Sequence, residues 1–111
     1  MERNVLAWSK ALEMGYEPRS YPYSFKEVPT GEFDAVLDFK IWAKKVIGIN
    51  CYFTHAETGR KFRLTIYCHG YYRVWKEEMD FATCPVNRRY RMKVTANQKK
   101  NMVLAGATLL D

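Results

Sequence analysis

The sequence predicts a mainly β (α+β) protein, an antiparallel sheet of five or six strands with an N-terminal helix, in one domain spanning residues 1–111. The sheet is expected to be curved or closed into a small barrel. Two observations predict this class. Apolar and polar residues alternate with a period of two in successive runs from Phe33 onward. The chain is also 48% hydrophobic and 15% aromatic, enough for a packed core.

The N-terminal segment 4–14 has the spacing of an amphipathic helix, with one apolar face formed by Val5, Trp8 and Leu12. Residues 15–32 combine prolines with tyrosines and a phenylalanine. Because proline fixes the backbone and removes a hydrogen-bond donor, this composition favours an extended connector whose rings pack against the core. The antiparallel β domain is expected to occupy residues 33–110.

Three consecutive alternating runs predict three half-buried strands. Their apolar faces are Phe33, Ala35, Leu37, Phe39 and Ile41; Ile47, Ile49, Cys51 and Phe53; and Phe62, Leu64, Ile66 and Cys68. Opposing Phe53 with Phe62 matches the faces of the second and third runs and leaves a four-residue loop that ends in Gly59. For the first and second runs, we expect Phe39 to lie opposite Ile49.

The rest of the chain predicts further strands at residues 71–75 and 89–96. The tail has two interpretations. A turn at residues 97–100 gives a final hairpin in which Val94 meets Val103, Met92 meets Ala105 and Tyr90 meets Ala107. A helix over residues 97–110 is the alternative, favoured by helix formers and opposed by Gly106. We favour the hairpin.

The formal net charge of +6 is concentrated towards the C-terminus. Residues 1–80 hold twelve Lys or Arg and eleven Asp or Glu, whereas residues 81–111 hold six and one. A basic region of this kind attracts nucleic acid or an acidic partner surface, because neutralising phosphates releases counterions. Charge alone does not distinguish the two, and a modest excess also serves solubility.

The outward faces of the predicted strands combine rings with cations, which is typical of single-strand binders that stack bases and contact phosphates. The candidate nucleic-acid-binding residues are Tyr52, Lys61, Arg63, Tyr67, His69, Arg89, Arg91, Lys93, Lys99 and Lys100. The leading hypothesis is therefore a non-enzymatic nucleic-acid-binding protein, and we expect its partner to be single-stranded nucleic acid. The alternative interpretation of the same pattern is an ordinary solvated sheet, in which these residue types are common.

Two other functions fit the sequence. A small interaction or inhibitor protein, of the kind found in phages and mobile elements, would dock on a larger acidic protein partner through Trp42, Trp75 or the tyrosine-rich connector. A metal-dependent nuclease would use Asp34, Asp38 and Lys40, which are all expected to point to one face of the first strand. An Asp-x-Lys triplet is a weak signal, so we expect no catalytic residues.

No cofactor or metal is expected. The sequence contains no phosphate-binding loop, dinucleotide-binding glycine motif or nucleophile elbow. Cys51 and Cys68 fall on apolar faces while His55 and His69 point the other way, so a tetrahedral zinc site is not favoured. The three cysteines cannot all pair, which favours a reducing compartment. With no signal pattern and no long apolar stretch, the expected location is cytoplasmic, without a membrane partner.

Overall fold

The computed structural model describes residues 5–13, 23–24, 27–43, 48–67, 80–96 and 102–110. The elements within them are α1 (Trp8–Glu13), β1 (Gly31–Trp42), β2 (Gly48–His55), β3 (Lys61–Tyr67), β4 (Arg88–Ala96) and β5 (Met102–Leu109). The predicted helix 4–14 and connector 15–32 both extend beyond the described residues, and both stay predictions. The strand predicted at residues 71–75 lies outside them altogether.

The five strands form one antiparallel sheet in the order β3-β2-β1-β4-β5. Strands β1 to β4 make a Greek key, in which the fourth strand returns to lie beside the first. Long β1 serves both halves, because Gly31–Leu37 pairs with β4 and Ala35–Trp42 pairs with β2. Within the described residues β3 and β5 are not paired with each other, so the sheet is open rather than a closed barrel.

The predicted pairing of β2 with β3 is confirmed. Phe53 lies opposite Phe62, Cys51 opposite Leu64 and Ile49 opposite Ile66. The loop between the strands is closed by a hydrogen bond from the backbone N–H of His55 to the carbonyl of Arg60, 2.8 Å. Gly59 adopts a φ of 74°, a backbone conformation that residues with a side chain rarely adopt. Matching faces and a glycine in the turn were sufficient to fix this register.

The predicted pairing of β1 with β2 is wrong by two residues before a bulge in β1 and by three residues after it. Leu37 pairs with Phe53 but Phe39 pairs with Tyr52, which leaves Asp38 as the extra residue. One extra residue reverses the faces of everything that follows it. Lys40, predicted to face solvent, therefore turns to the same side as Cys51, while Phe39 and Ile41 turn away from it.

The bulge divides the apolar residues between the two faces of the sheet. The inner face carries the main core, formed chiefly by Leu37, Ile49, Phe53, Phe62, Phe81, Met92 and Val94. The outer face carries a small second cluster, formed by buried Ile41 and Tyr52 with Leu6, Tyr23 and Phe39 packed against it. Leu6 pairs with the end of β1 that β4 does not reach. Its carbonyl accepts from the backbone N–H of Trp42 and its N–H donates to the carbonyl of Lys40, both at 2.9 Å.

The tail is a strand, as favoured, but its predicted register is wrong. Tyr90 pairs with Leu109 and Met92 with Ala107, whereas Val94 pairs with Leu104. The register shifts between Lys93 and Val94, so the offset from the prediction is two residues at one end and one at the other. As a result Leu104, not Val103, packs against the main core, and Val103 is exposed.

Candidate nucleic-acid interface and a buried lysine

The cations predicted on β3 and β4 lie on the outer face of the sheet. Arg89 is opposite Val36, Val36 is opposite Thr54, and Thr54 is opposite Lys61. Residues directly opposite in a sheet share a face. Two strands separate the two groups of cations, which places them about 14 Å apart at the usual strand spacing.

The β4 cations form an exposed row at alternate positions: Arg89, Arg91 and Lys93. Arg88 is also exposed, but it lies opposite Leu37 and therefore on the other side of the strand. The Arg91 side chain is 55% exposed and donates from Nε to Asp34 Oδ1. This hydrogen bond raises the pKa of the Arg91 guanidinium. In the described part of the chain, no carboxylate lies within ion-pairing distance of Arg88, Arg89 or Lys93.

Acidic residues of β1 separate the two groups of cations. Glu32 lies opposite Lys93 and Asp34 lies opposite Arg91, and Asp38 at the bulge contacts Lys61 with 3.9 Å between Oδ2 and Nζ. The outer face is therefore a basic strip on β4, an acidic line on β1 and a smaller basic strip on β3. It is not one continuous positive surface.

Tyr52 is not the exposed stacking ring that the sequence predicted. Its relative exposure is 0%. The ring stacks on Phe39 with centroids 4.4 Å apart, and Tyr23 meets it edge-on at 5.3 Å. Burial raises the pKa of the Tyr52 phenol, an effect that hydrogen bonding to Arg63 partly opposes. Tyr67, in contrast, is 56% exposed near the end of β3.

Lys61 is held by neighbouring side chains on the outer face. Its ammonium donates to Thr54 Oγ1 at 3.0 Å and lies 5.2 Å from the centroid of the Tyr23 ring. Asp38 accepts from the hydroxyls of Tyr23 and Thr54. This polar group surrounds the bulge and makes Lys61 less available to a ligand than the cations of β4.

The two predicted docking tryptophans have different outcomes. Trp42 follows the bulge, so it faces inward, is half-buried and packs against the main core. Docking through Trp42 is not tested by this placement and stays a prediction. Trp75 lies outside the described residues, as do the candidate binding residues His69, Lys99 and Lys100.

The nuclease site predicted from Asp34, Asp38 and Lys40 is also wrong. Both carboxylates are on the outer face, where they contact Arg91 and Lys61. Lys40 is on the inner face and is 0% exposed. The bulge at Asp38 separates the lysine from the acids, and the three groups therefore do not converge on one metal or water.

Lys40 instead fastens the loop before β4 to the sheet. Its ammonium donates to the carbonyl of Phe81 at 2.8 Å and to that of Cys84 at 2.6 Å, and contacts Cys84 Sγ at 3.5 Å. Asp80 shapes the same loop by accepting from the backbone N–H groups of Ala82 and Cys84. The three ammonium hydrogens thus have three acceptors, which is how a buried cation without a carboxylate is accommodated.

The two described cysteines are buried thiols rather than reactive ones. Burial raises the pKa of Cys51, which lies opposite Lys40 in the sheet. Burial also raises the pKa of Cys84, although the nearby Lys40 charge partly opposes this. Because the thiolate is the nucleophile and metal ligand, both environments oppose such chemistry. The sequence analysis did not predict the contact of Lys40 with Cys51 and Cys84. The available signal was Trp42, which would lie on the polar face of β1 if the strand alternated regularly.

Neither a metal cluster nor a membrane helix is present in the described ranges. No three His, Cys, Asp or Glu side chains there are grouped as metal ligands. None of the helices in those ranges has the length and apolar character needed to cross a bilayer. His55 has a structural contact, since its Nδ1 accepts from the backbone N–H groups of Glu57 and Thr58 at 3.1 and 3.3 Å. Comparison of the chain with protein families, with curated proteins and with solved structures finds no match.

Proposed function

We propose that this protein binds nucleic acid without catalysing a reaction, and that it does so through phosphate contacts on the outer face of β4. The observation that carries the proposal is the exposed row Arg89, Arg91 and Lys93. All three point to one side of one strand, and only Arg91 has an ion-pair partner among the described residues.

The spacing of this row suits a phosphate backbone. Alternate residues of a strand are about 6.8 Å apart. Consecutive phosphates of one B-form DNA strand are also about 7 Å apart in space, because the strand rotates about the axis as it rises about 3.4 Å per step. Contacts of this kind fix position and carry little sequence information. The proposed mode is therefore salt-dependent and tolerant of sequence, since Tyr52 is covered and does not offer a base-stacking ring in this state.

The strand order supports the proposal by analogy. A Greek key extended by β5 is the arrangement of five-stranded, partly open barrels, and one such fold binds oligonucleotides and oligosaccharides. If the sheet of this protein curls in the same way, β3 and β5 would be the two edge strands that face each other across the opening of the barrel. Folds host many functions, so the β4 cations carry the argument and the topology only adds to it.

A fluorescence-anisotropy titration tests this function. Labelled single-stranded and duplex oligonucleotides are titrated at 50 and 200 mM salt. Three phosphate contacts predict a slope of log K against log salt of about −2.7 for duplex and about −2.1 for single strands. The double variant Arg89→Ala and Lys93→Ala is expected to reduce these slopes to about −0.9 and −0.7.

A matched control removes the same charge elsewhere. Lys10 on α1 and Arg60 in the loop between β2 and β3 are exposed and lie away from β4. Lys10→Ala with Arg60→Ala lowers the net charge equally, and it is expected to leave the slope close to that of the unmodified protein. No binding at 50 mM salt, or equal loss in the two double variants, would refute binding by β4.

Docking on an acidic protein is the second candidate function. The observation that favours it is the exposure of Val103, Leu109 and Leu110 on and after β5, the strand next to the β4 cations. An acidic partner would contact both. Co-purification that persists after nuclease treatment and is lost in Arg89→Ala with Lys93→Ala would favour this candidate, whereas loss on nuclease treatment alone would favour nucleic acid.

A further inference from the structure

An aromatic shelf lies on the outer face of the sheet, formed by Phe39 of β1 and Tyr52 of β2. The two rings stack with centroids 4.4 Å apart and an interplanar angle of 12°. Tyr23 covers the shelf edge-on, with its ring 5.3 Å from Tyr52 and 5.5 Å from Phe39. The shelf therefore already accommodates one additional aromatic ring.

Polar groups around the shelf complete the contacts of that additional ring. The Tyr23 hydroxyl donates to Asp38 Oδ2 at 2.8 Å, and the Lys61 ammonium lies 5.2 Å from the ring centroid. Arg63 lies opposite Tyr52 on the neighbouring strand. A planar ring that carries a hydrogen-bond donor, and that is joined to a negative charge, would satisfy the same groups.

The shelf and its cover belong to different parts of the chain. Phe39 and Tyr52 are paired residues of neighbouring strands, so their positions are set by the sheet. Tyr23 precedes β1, and Ser24 beside it attaches to β3 by two backbone hydrogen bonds, to the carbonyl of Lys61 at 3.3 Å and from the N–H of Arg63 at 2.8 Å. The shelf is therefore expected to persist when the Tyr23 ring is removed.

We propose that the aromatic shelf is a binding site for one unpaired nucleobase, and that Tyr23 occupies this site in the free protein. The inference rests on the proposed function and deepens it. Adenine, cytosine and guanine carry an exocyclic amine that donates to Asp38 as the Tyr23 hydroxyl does, whereas thymine has a carbonyl or methyl group at the corresponding edges. Lys61 and Arg63 would contact the adjoining phosphate.

The test compares Tyr23→Ala with the unmodified protein, using oligo(dC), oligo(dT) and a duplex. If Tyr23 covers the shelf for about nine-tenths of the time, only about one-tenth of the protein is competent to bind, and the apparent affinity is about tenfold weaker. Tyr23→Ala is therefore expected to bind oligo(dC) about tenfold more tightly, to gain less for oligo(dT), and to leave duplex binding unchanged, because paired bases are not available. Tyr23→Phe, which keeps the ring and loses the bond to Asp38, is expected to lie between the two.

A second measurement is independent of β4. Cytidine monophosphate at millimolar concentration is expected to raise the melting temperature of Tyr23→Ala more than that of the unmodified protein. Absence of this difference, or unchanged or weaker oligo(dC) binding by both variants, would overturn the proposal. Tyr23→Ala could also gain affinity for oligo(dC) and cytidine monophosphate while no variant binds duplex. In that case phosphate binding by β4 would be wrong, and nucleobase binding by the aromatic shelf would be supported.

Discussion

Replacing Lys40 by methionine tests the structural role of the buried ammonium. Methionine keeps an unbranched side chain of similar length and removes the charge and its three donors. The carbonyls of Phe81 and Cys84, now 2.8 and 2.6 Å from the Lys40 ammonium, then lose these contacts. Because Lys40 is 0% exposed and the loop is packed on the core, water has little access to replace them.

The magnitude follows from the two acceptors. A buried acceptor left without its donor costs about 1–3 kcal/mol, so two cost about 2–6 kcal/mol. Removing a buried cation recovers part of this, since its desolvation cost disappears. We expect a net loss of about 2–4 kcal/mol in the free energy of unfolding. For a chain of this size that corresponds to a fall of about 8–16 °C in melting temperature.

Urea unfolding, followed by tryptophan fluorescence and circular dichroism, measures this loss. Lys93→Met is the matched control, because the same substitution at an exposed position of β4 is expected to change stability by less than about 0.5 kcal/mol. An unchanged slope with a lower midpoint would assign the effect to the folded state. If Lys40→Met is as stable as Lys93→Met, the ammonium does not hold the loop.

Three further changes test the packing and the buried ionisable groups. Tyr90→Phe removes the donor to the carbonyl of Pro85 at 2.6 Å and is expected to cost about 1 kcal/mol in urea unfolding; equal stability would argue against this bond. Gly48→Ala brings a Cβ to 2.8 Å from the carbonyl oxygen of Ile66 and is expected to cost about 2 kcal/mol, so an unchanged melting temperature would contradict close β2–β3 contact. Burial raises the pKa of Cys51 and Tyr90 above their ordinary values of 9.0 and 10.0. The unfolded chain therefore loses these protons first. The contribution of Cys51 to stability is complete below about pH 9 and that of Tyr90 below about pH 10, and each declines above that pH by up to about 1.4 kcal/mol per pH unit; constant stability from pH 8 to 11 would oppose this.

The β-rich architecture followed from the sequence because apolar alternation and turn chemistry agree. Phe53 and Phe62 could be paired correctly, since their faces and the glycine-containing loop specify the same register. The same parity placed Arg89 and Lys61 on one face of the sheet. Local patterns of this kind depend only on residues that are close in the sequence, so they can be predicted from the sequence alone.

The misplaced faces of Lys40 and Trp42 share one physical cause, the bulge in β1. The bulge leaves no sign in the apolar pattern of the sequence. Phe39 and Ile41 continue the alternation of β1, but they lie on the outer face, where the second cluster buries them. The predicted alternation therefore passed through Asp38 and placed Lys40 on the wrong side. The covering of Tyr52 by Tyr23 depends on a contact between distant parts of the chain, which strand periodicity does not specify.

Mapping oligonucleotide contacts by NMR tests the central claim most directly. In a titration of ¹⁵N-labelled protein with a short duplex at low salt, the account predicts that the largest amide shift changes lie on β4 around Arg89, Arg91 and Lys93, and that they disappear at high salt. Shift changes confined to other strands, or none at protein concentrations of tens of micromolar, would contradict phosphate binding by the outer face of β4.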